Sequence, residues 1–252
     1  MNLVLSLFPG IGLLDMAFEQ EGFCVVRGPD LLWGGDIRRF HPPAGRFDGV
    51  IGGPPCQVFS RMRYVNPKCG QKHGNLIPEF ERVVHESSPG WFVMENVPEA
   101  PPANVFGYRR TMVTLKDIWV GGVTSRTRRF TFGGTACGAP GKIQPVALHG
   151  EPEHSALASG GGRPVPVALI QTKDGGHRVK KGAMKNLGYQ AEHAWPEHLR
   201  KQGLPADFLS EAPFTVAGRL HAVGNGVPLP MGRTIARAVR QALGLPLIEA
   251  TA

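Results

Sequence analysis

Phe47-Asp48-Gly49-Val50-Ile51-Gly52-Gly53-Pro54-Pro55-Cys56-Gln57 begins as a short apolar run and stops at paired glycines and paired prolines. The run suits a buried strand, and neither a strand nor a helix interior tolerates the glycine and proline pairs that end it. The next side chain is a thiol. In an open α/β sheet, ligands collect outside the carboxyl ends of the strands, so a cysteine on a stiff loop there is a candidate nucleophile. On this stretch alone, a buried apolar cysteine stands as the alternative.

Working upstream, Asn2 to Leu7 reads as a first buried strand and Phe8-Pro9-Gly10-Ile11-Gly12 as a tight glycine turn. Leu13, Leu14, Ala17 and Phe18 then recur at helical spacing until Gly22. Such a turn lets backbone N–H groups approach a ligand, and the helix start adds a positive dipole. A plain structural turn fits too, and the third glycine of a dinucleotide fingerprint is missing. Phe23 to Val26 reads as a second strand, followed by an unusually short link carrying Asp30 and then Gly35-Asp36-Ile37. An acid at this sheet edge can accept hydrogen bonds from a ribose or adenine, or can simply be solvated.

Downstream, Arg61-Met62-Arg63-Tyr64 suits either a loop closing over a phosphate backbone or a solvated surface. Leu76 to Glu86 is an amphipathic helix with Phe80, Val83 and Val84 on one face, ended by Pro89 and Gly90. The apolar strand Trp91 to Met94 then delivers Glu95-Asn96-Val97-Pro98 to the edge that carries Cys56. Partial burial would raise the Glu95 pKa and fit it to carry a proton; backbone N–H groups satisfying a loop acid are the alternative. Thr124 to Phe132 reads as a strand with Arg126 and Arg128 on one face and Thr127 and Arg129 on the other. Paired guanidinium forks can clamp a carbonyl or phosphate, unless this is an ordinary charged surface strand.

From Gly133 the chain is rich in Gly, Pro and His, and Gly160-Gly161-Gly162 reads as a linker. Arg163 to Lys185 holds six basic residues against one acid, including Lys173, Arg178, Lys180 and Lys181. That density suits a phosphate-tracking surface or a solvated basic loop. Ala222-Val223-Gly224-Asn225-Gly226-Val227-Pro228 leads into a helix whose apolar face is Ile235, Ala236, Val239, Ala242 and Leu243, expected to pack back on the first domain.

A chain of 252 residues with a formal charge of +8 can bury one good core and favours a polyanionic partner. The four cysteines, Cys24, Cys56, Cys69 and Cys137, form no C-x-x-C pair, so no metal site is expected and a reducing compartment fits. No apolar run approaches the roughly 20 residues that cross a bilayer, and the start does not look like a signal peptide. A cytoplasmic protein without a membrane partner is expected.

Taken together these motifs resemble, from Phe8 to about Arg240, the DNA (cytosine-5)-methyltransferase family. Phe8 to Gly12 is similar to its first S-adenosylmethionine motif, Gly53 to Gln57 to its nucleophile motif, and Glu95-Asn96-Val97 to its glutamate motif. Arg126-x-Arg128 is similar to its arginine motif and Gly224 to Pro228 to its final one. The resemblance implies that Phe8, Pro9, Gly10, Ile11, Gly12, Asp36, Ile37, Pro54, Leu76, Asn225, Gly226 and Val227 hold S-adenosylmethionine, with Asp30 on the ribose. It implies that the Cys56 thiolate adds to C6 of cytosine, that Glu95 holds or protonates N3, and that Arg126 and Arg128 steady the base. Nearby arginines or a helix N-terminus would raise the thiolate fraction.

The target cytosine would have to be flipped out of the duplex. Gln57, Ser60, Arg61, Arg63, Lys173, Arg178, Lys180, Lys181 and Arg200 are the expected DNA contacts. Thr124 stands where the arginine motif usually begins with Gln, and no acid cleanly follows the second strand in Arg27-Gly28-Pro29-Asp30. The expected architecture is a Rossmann-like α/β methyltransferase domain with a parallel sheet, residues 1–133 plus 214–252. A small irregular target-recognition domain, 134–213, would be inserted into it.

The expected activity is S-adenosylmethionine-dependent methylation of cytosine C5 in a short duplex DNA sequence, in a restriction-modification setting, by a monomer. An RNA cytosine-5 methyltransferase and a catalytically silent DNA-binding protein are the alternatives.

Overall fold

The computed structural model describes residues 2–60, 74–135, 143–147, 169–171, 177–179 and 195–248, with the backbone alone for 169–171 and 177–179. Strands β1 (Leu3–Leu7), β2 (Cys24–Arg27), β3 (Gly49–Gly52), β4 (Trp91–Asn96), β5 (Arg109–Lys116) and β6 (Thr127–Gly134) form one sheet in the order β2-β1-β3-β4-β6-β5. The first four run parallel, while β6 is antiparallel to β4 and to β5. The sheet is therefore mixed, which corrects the all-parallel expectation. β5 reaches β6 through a single-turn 3-10 helix, Asp117–Val120, and a short loop, too little chain for the crossover that parallel neighbours need.

Connections on the parallel side follow from composition. Helix α1 (Leu13–Gln20) carries β1 to β2, and α2 (Ile77–Ser87), with a proline in its first turn, carries β3 to β4. Between β2 and β3 lie only two 3-10 turns, Leu31–Trp33 and Ile37–Arg39. Asp30 and Asp36 start them, each carboxylate accepting the amide N–H two residues on. Because the chain leaves β1 for β2 on one side and β3 on the other, a crevice opens at the carboxyl ends of β1 and β3.

The pleat of the strands sends alternate side chains to two cores. Val4, Ile51, Trp91 and Val93 face α1 and α4 (Leu229–Ala242), where Phe18 and Phe23 pack around the Trp91 ring. Leu5, Val50, Phe92 and Met94 face α2 and its Phe80. The α4 helix starts as expected, with Pro228 as its cap and another proline in its first turn. Helix α3 (Val216–Asn225), capped by the Thr215 hydroxyl accepting from the Gly218 N–H, precedes it.

Within the segment expected to recognise DNA, β7 (Leu169–Gln171) pairs antiparallel with β8 (His177–Val179). Residues 195–202 are helical, and Leu199 and Leu204 are buried with Leu13 and Ala17 of α1 and Val223 of α3.

Helix α4 lies close on α1. A Cβ built on Gly232 would sit 2.6 Å from the Ala17 Cβ. Below this contact, the Nε groups of Arg233 and Arg237 both meet the buried Glu21 Oε1, at 3.2 and 2.9 Å, and Arg240 Nη1 donates to the Glu21 carbonyl. Replacing Gly232 by Ala gains ~1 kcal/mol of helix propensity but overpacks two methyls that no rotamer can move, at ~1–3 kcal/mol. Overpacking wins, so Gly232→Ala lowers the chemical-denaturation midpoint; a midpoint equal to or above the parent's would show that the helices separate freely.

Candidate active site

A cavity of about 610 Å³ opens at the carboxyl ends of β1, β3 and β4, and the turn after α3 closes its far side. The glycine loop forms one wall. Phe8 and Gly10 both have φ 56 and Gly12 has φ 81. A bulky residue in the left-handed region, directly before a proline, is strained and marks a functional loop. Phe8, Pro9, Gly10 and Ile11 line the cavity. Gly12 is absent from that lining and caps α1, where a Cβ would come 2.6 Å from the Arg27 guanidinium.

Gly10 is held from both sides: its N–H donates to Asp30 Oδ2 at 2.8 Å and its carbonyl accepts from Trp33 Nε1 at 2.7 Å. Asp30 thus braces the loop while still facing the cavity. Asp36 and Ile37, with Pro54 and Leu76, continue the lining, and Asn225, Gly226 and Val227 complete it from the other end of the chain.

Beyond the glycine loop sits the thiol. The Cys56 carbonyl accepts the N–H groups of Phe59 and Ser60, both at 2.9 Å, and Asn96 Nδ2 donates to the Pro54 carbonyl at 3.1 Å, tying the loop to β4. Glu95, one residue earlier on β4, is paired through Oε1 with Arg128 Nε at 2.8 Å, and both side chains are mostly buried. Cys56, Glu95, Arg128 and Gln57 all line the cavity. Burial pushes the Cys56 thiol above its ordinary value of 9.0; the Glu95 carboxylate adds to the rise, and Arg128 and Arg126 oppose it without reversing it. The nearby arginines do favour the thiolate, as expected, but withdrawal from water outweighs them.

Arg126 does not line the cavity. It is 3% exposed, one residue before β6, with Nη1 donating to the Gly224 carbonyl at 2.9 Å and Nη2 to the Asn225 carbonyl at 3.4 Å. Burial, then the neighbouring Arg128, lowers its pKa to about 9. Sequence reasoning placed both arginines on one strand face, but only Arg128 reaches the cavity. His221 was missed. It lines the cavity from α3, with its Nδ1 3.2 Å from Asn225 Nδ2, and its position one helical turn before Asn225 was the available signal.

Among the expected DNA contacts, Ser60 lies in the Cys56 turn, Arg178 is on β8, and Arg200 pairs with Glu197 one turn earlier on its helix at 3.0 Å. Arg61, Arg63, Lys173, Lys180 and Lys181 fall outside the described residues. Among the described residues, no group of three His, Cys, Asp or Glu side chains could hold a metal ion, and no helix is long and apolar enough to cross a membrane.

With this geometry in place, the comparisons are specific. Residues 34–104 match the family described as C-5 cytosine-specific DNA methylase. The chain is 33% identical over 113 residues to the type II methyltransferase M.FnuDI of Fusobacterium nucleatum, covering 37% of this chain and 32% of that protein. It is 28% identical over 160 residues to M.HgiDI of Herpetosiphon aurantiacus, covering 51% of each. The matches thus span about a third to a half of these curated relatives. A solved E. coli structure, described as a DNA modification methyltransferase encoded within a prophage, shares the fold with a TM-score of 0.61 at 17% identity, covering 97% of this chain and 100% of that one.

The reactive form of Cys56 is the thiolate, so its alkylation by iodoacetamide should rise with pH to a midpoint above the ordinary thiol value. Glu95→Gln removes the facing anion and lowers that midpoint, and Arg128→Gln raises it. Mass mapping of the Cys56 peptide against pH reads this, and a parent midpoint at or below 9.0 contradicts the burial argument.

Proposed function

We propose that the chain belongs to the DNA (cytosine-5)-methyltransferase family, whose model matches residues 34–104, and that it methylates C5 of a cytosine flipped out of duplex DNA. The observation that carries this is a single cavity joining the strained glycine loop to Cys56, Glu95 and Arg128. Its size suits a nucleoside-sized ligand. Its chemistry also suits S-adenosylmethionine: aliphatic walls from Ile37, Pro54 and Leu76 lie beside the carboxylates of Asp30 and Asp36. The residues that would hold it are those from the glycine loop, Asp30, Asp36, Ile37, Pro54, Leu76 and the Asn225–Val227 turn. Held there, S-adenosylmethionine supplies an electrophilic methyl group.

The chain's own residues prepare the base. Cysteine sulfur adds to C6, turning C5 into a nucleophile, and Glu95 at N3 offsets the charge that develops in the ring. A proton passing from the Cys56 thiol to Glu95 yields the attacking thiolate and a carboxylic acid able to donate to N3. That removes the Glu95 charge, which adds to burial in raising the thiol pKa. Arg128, fixed on β6, orients Glu95 throughout. Loss of the C5 proton to water then re-forms the C5–C6 double bond, breaks the S–C6 bond and returns the thiolate, and the N3 proton goes back to Glu95 and on to the thiolate. Arg126 stands behind this set and acts on the cavity wall instead of on the base.

We assign base flipping and recognition to the segment 134–213, with residues 195–209 anchoring it to α1 and α3. Gln57 at the cavity mouth and the basic positions of that segment are the proposed DNA contacts. The matched relatives are named type II methyltransferases, which supports a short recognition sequence in a restriction-modification setting. A monomer in a bacterial cytoplasm is proposed with it.

Transfer of labelled methyl from S-adenosylmethionine to mixed-sequence duplex DNA, followed by base-resolution mapping, should place 5-methylcytosine in one short context. Cys56→Ser should bring transfer to background, and Glu95→Gln should slow it by about 100-fold or more, the scale of a lost general acid. Label in RNA and not in duplex DNA, or substantial transfer by Cys56→Ser, would overturn this assignment.

A further inference from the structure

The arginine-motif loop is built differently from its usual pattern at Thr124, and the structure shows what that residue does. Thr124 is 1% exposed and Asp117 fully buried; Asp117 Oδ2 accepts from the Thr124 hydroxyl at 2.7 Å and from the Thr124 N–H at 3.1 Å. The same hydroxyl accepts from the Arg126 N–H at 3.4 Å, and the Asp117 N–H donates to the Arg126 carbonyl at 2.9 Å. Asp117 and Thr124 therefore grip the Arg126 backbone from both sides. Gly122 leaves room for this, since a Cβ there would lie 2.0 Å from Asp117 Oδ1.

Downstream of the grip, the Arg126 fork holds the Gly224 and Asn225 carbonyls, and Asn225 opens the turn that closes the cavity. A chain of contacts thus runs from Asp117 to the cavity wall without touching Cys56. On this basis we propose that Asp117 and Thr124 are positioning residues that set the affinity for the cofactor through Arg126. This rests on the methyltransferase reading above. The pair would act on binding far more than on the chemical step, because Glu95 and Arg128 are tied to each other independently of it.

Equilibrium titration with S-adenosylhomocysteine, which needs no turnover, tests this, alongside steady-state methyl transfer. Thr124→Val should raise the Kd about five- to twentyfold, the scale of one lost buried hydrogen bond, with kcat at saturation changed less than about twofold. Thr124→Ser, which keeps the hydroxyl, should restore the parent Kd. Gly232→Ala, destabilised away from the cavity, should bind as the parent does and so separates positioning from general stability. If Thr124→Val does not fold, Asp117→Asn is read in the same way and should raise the Kd.

An unchanged Kd in the variant that folds, a rise matched by Gly232→Ala, or a loss confined to kcat overturns the proposal. A parent chain that fails to bind S-adenosylhomocysteine at all overturns the functional reading, and this inference with it.

Discussion

A guanidinium withdrawn from water fastens the middle of this chain to its last quarter. Taking such an ion out of solvent costs several kcal/mol unless its donors are satisfied. Arg126 places its two terminal nitrogens at the carboxyl end of α3, where the helix presents its carbonyls and the negative end of its dipole. Its pKa falls only to about 9, so it stays charged at neutral pH. The cavity wall made by Asn225 to Val227 is thereby held to the start of β6, nearly 100 residues away in sequence. The site is a long-range property of the fold.

The resting nucleophile is governed by a similar competition. Two arginines lie near Cys56, yet one is spent on Glu95 and the other on backbone carbonyls, so burial and the Glu95 charge keep the thiol protonated. A protonated, half-buried thiol is slow to oxidise or alkylate. On the proposed function, reactivity is held back until a bound base changes the charge around Glu95.

The parts of this arrangement that could be read from sequence were those where local chemistry left little choice. Paired glycines and prolines ending an apolar run fixed the Cys56 loop, and the apolar run through Met94 put Glu95 beside it. Helical spacing gave α1 and α2 to within two residues and the apolar face of α4 up to Ala242. What escaped was held by tertiary contacts. β5 is mostly exposed, with arginines and lysine at its ends, and carries no apolar signature; it is a strand because β6 pairs with it. The split between Arg128, which faces the cavity, and Arg126, which does not, depends on where α3 ends nearly 100 residues later. Nothing in the sequence around Asp117 marks it, and only its burial against Thr124 gives it a task.

The segment proposed for recognition is pinned to one body at two places: the Thr135 N–H, just after β6, donates to the Gly90 carbonyl, and Leu199 is buried against α1. Between two fixed points, chain length is thermodynamically forgiving, because each doubling of a flexible connection adds only ~0.6 kcal/mol of closure entropy. A domain with ~5–15 kcal/mol of net stability absorbs that easily. On the proposed division, the scaffold can accept longer, shorter or exchanged recognition segments while its catalytic half stays unchanged, leaving target choice and chemistry free to evolve separately.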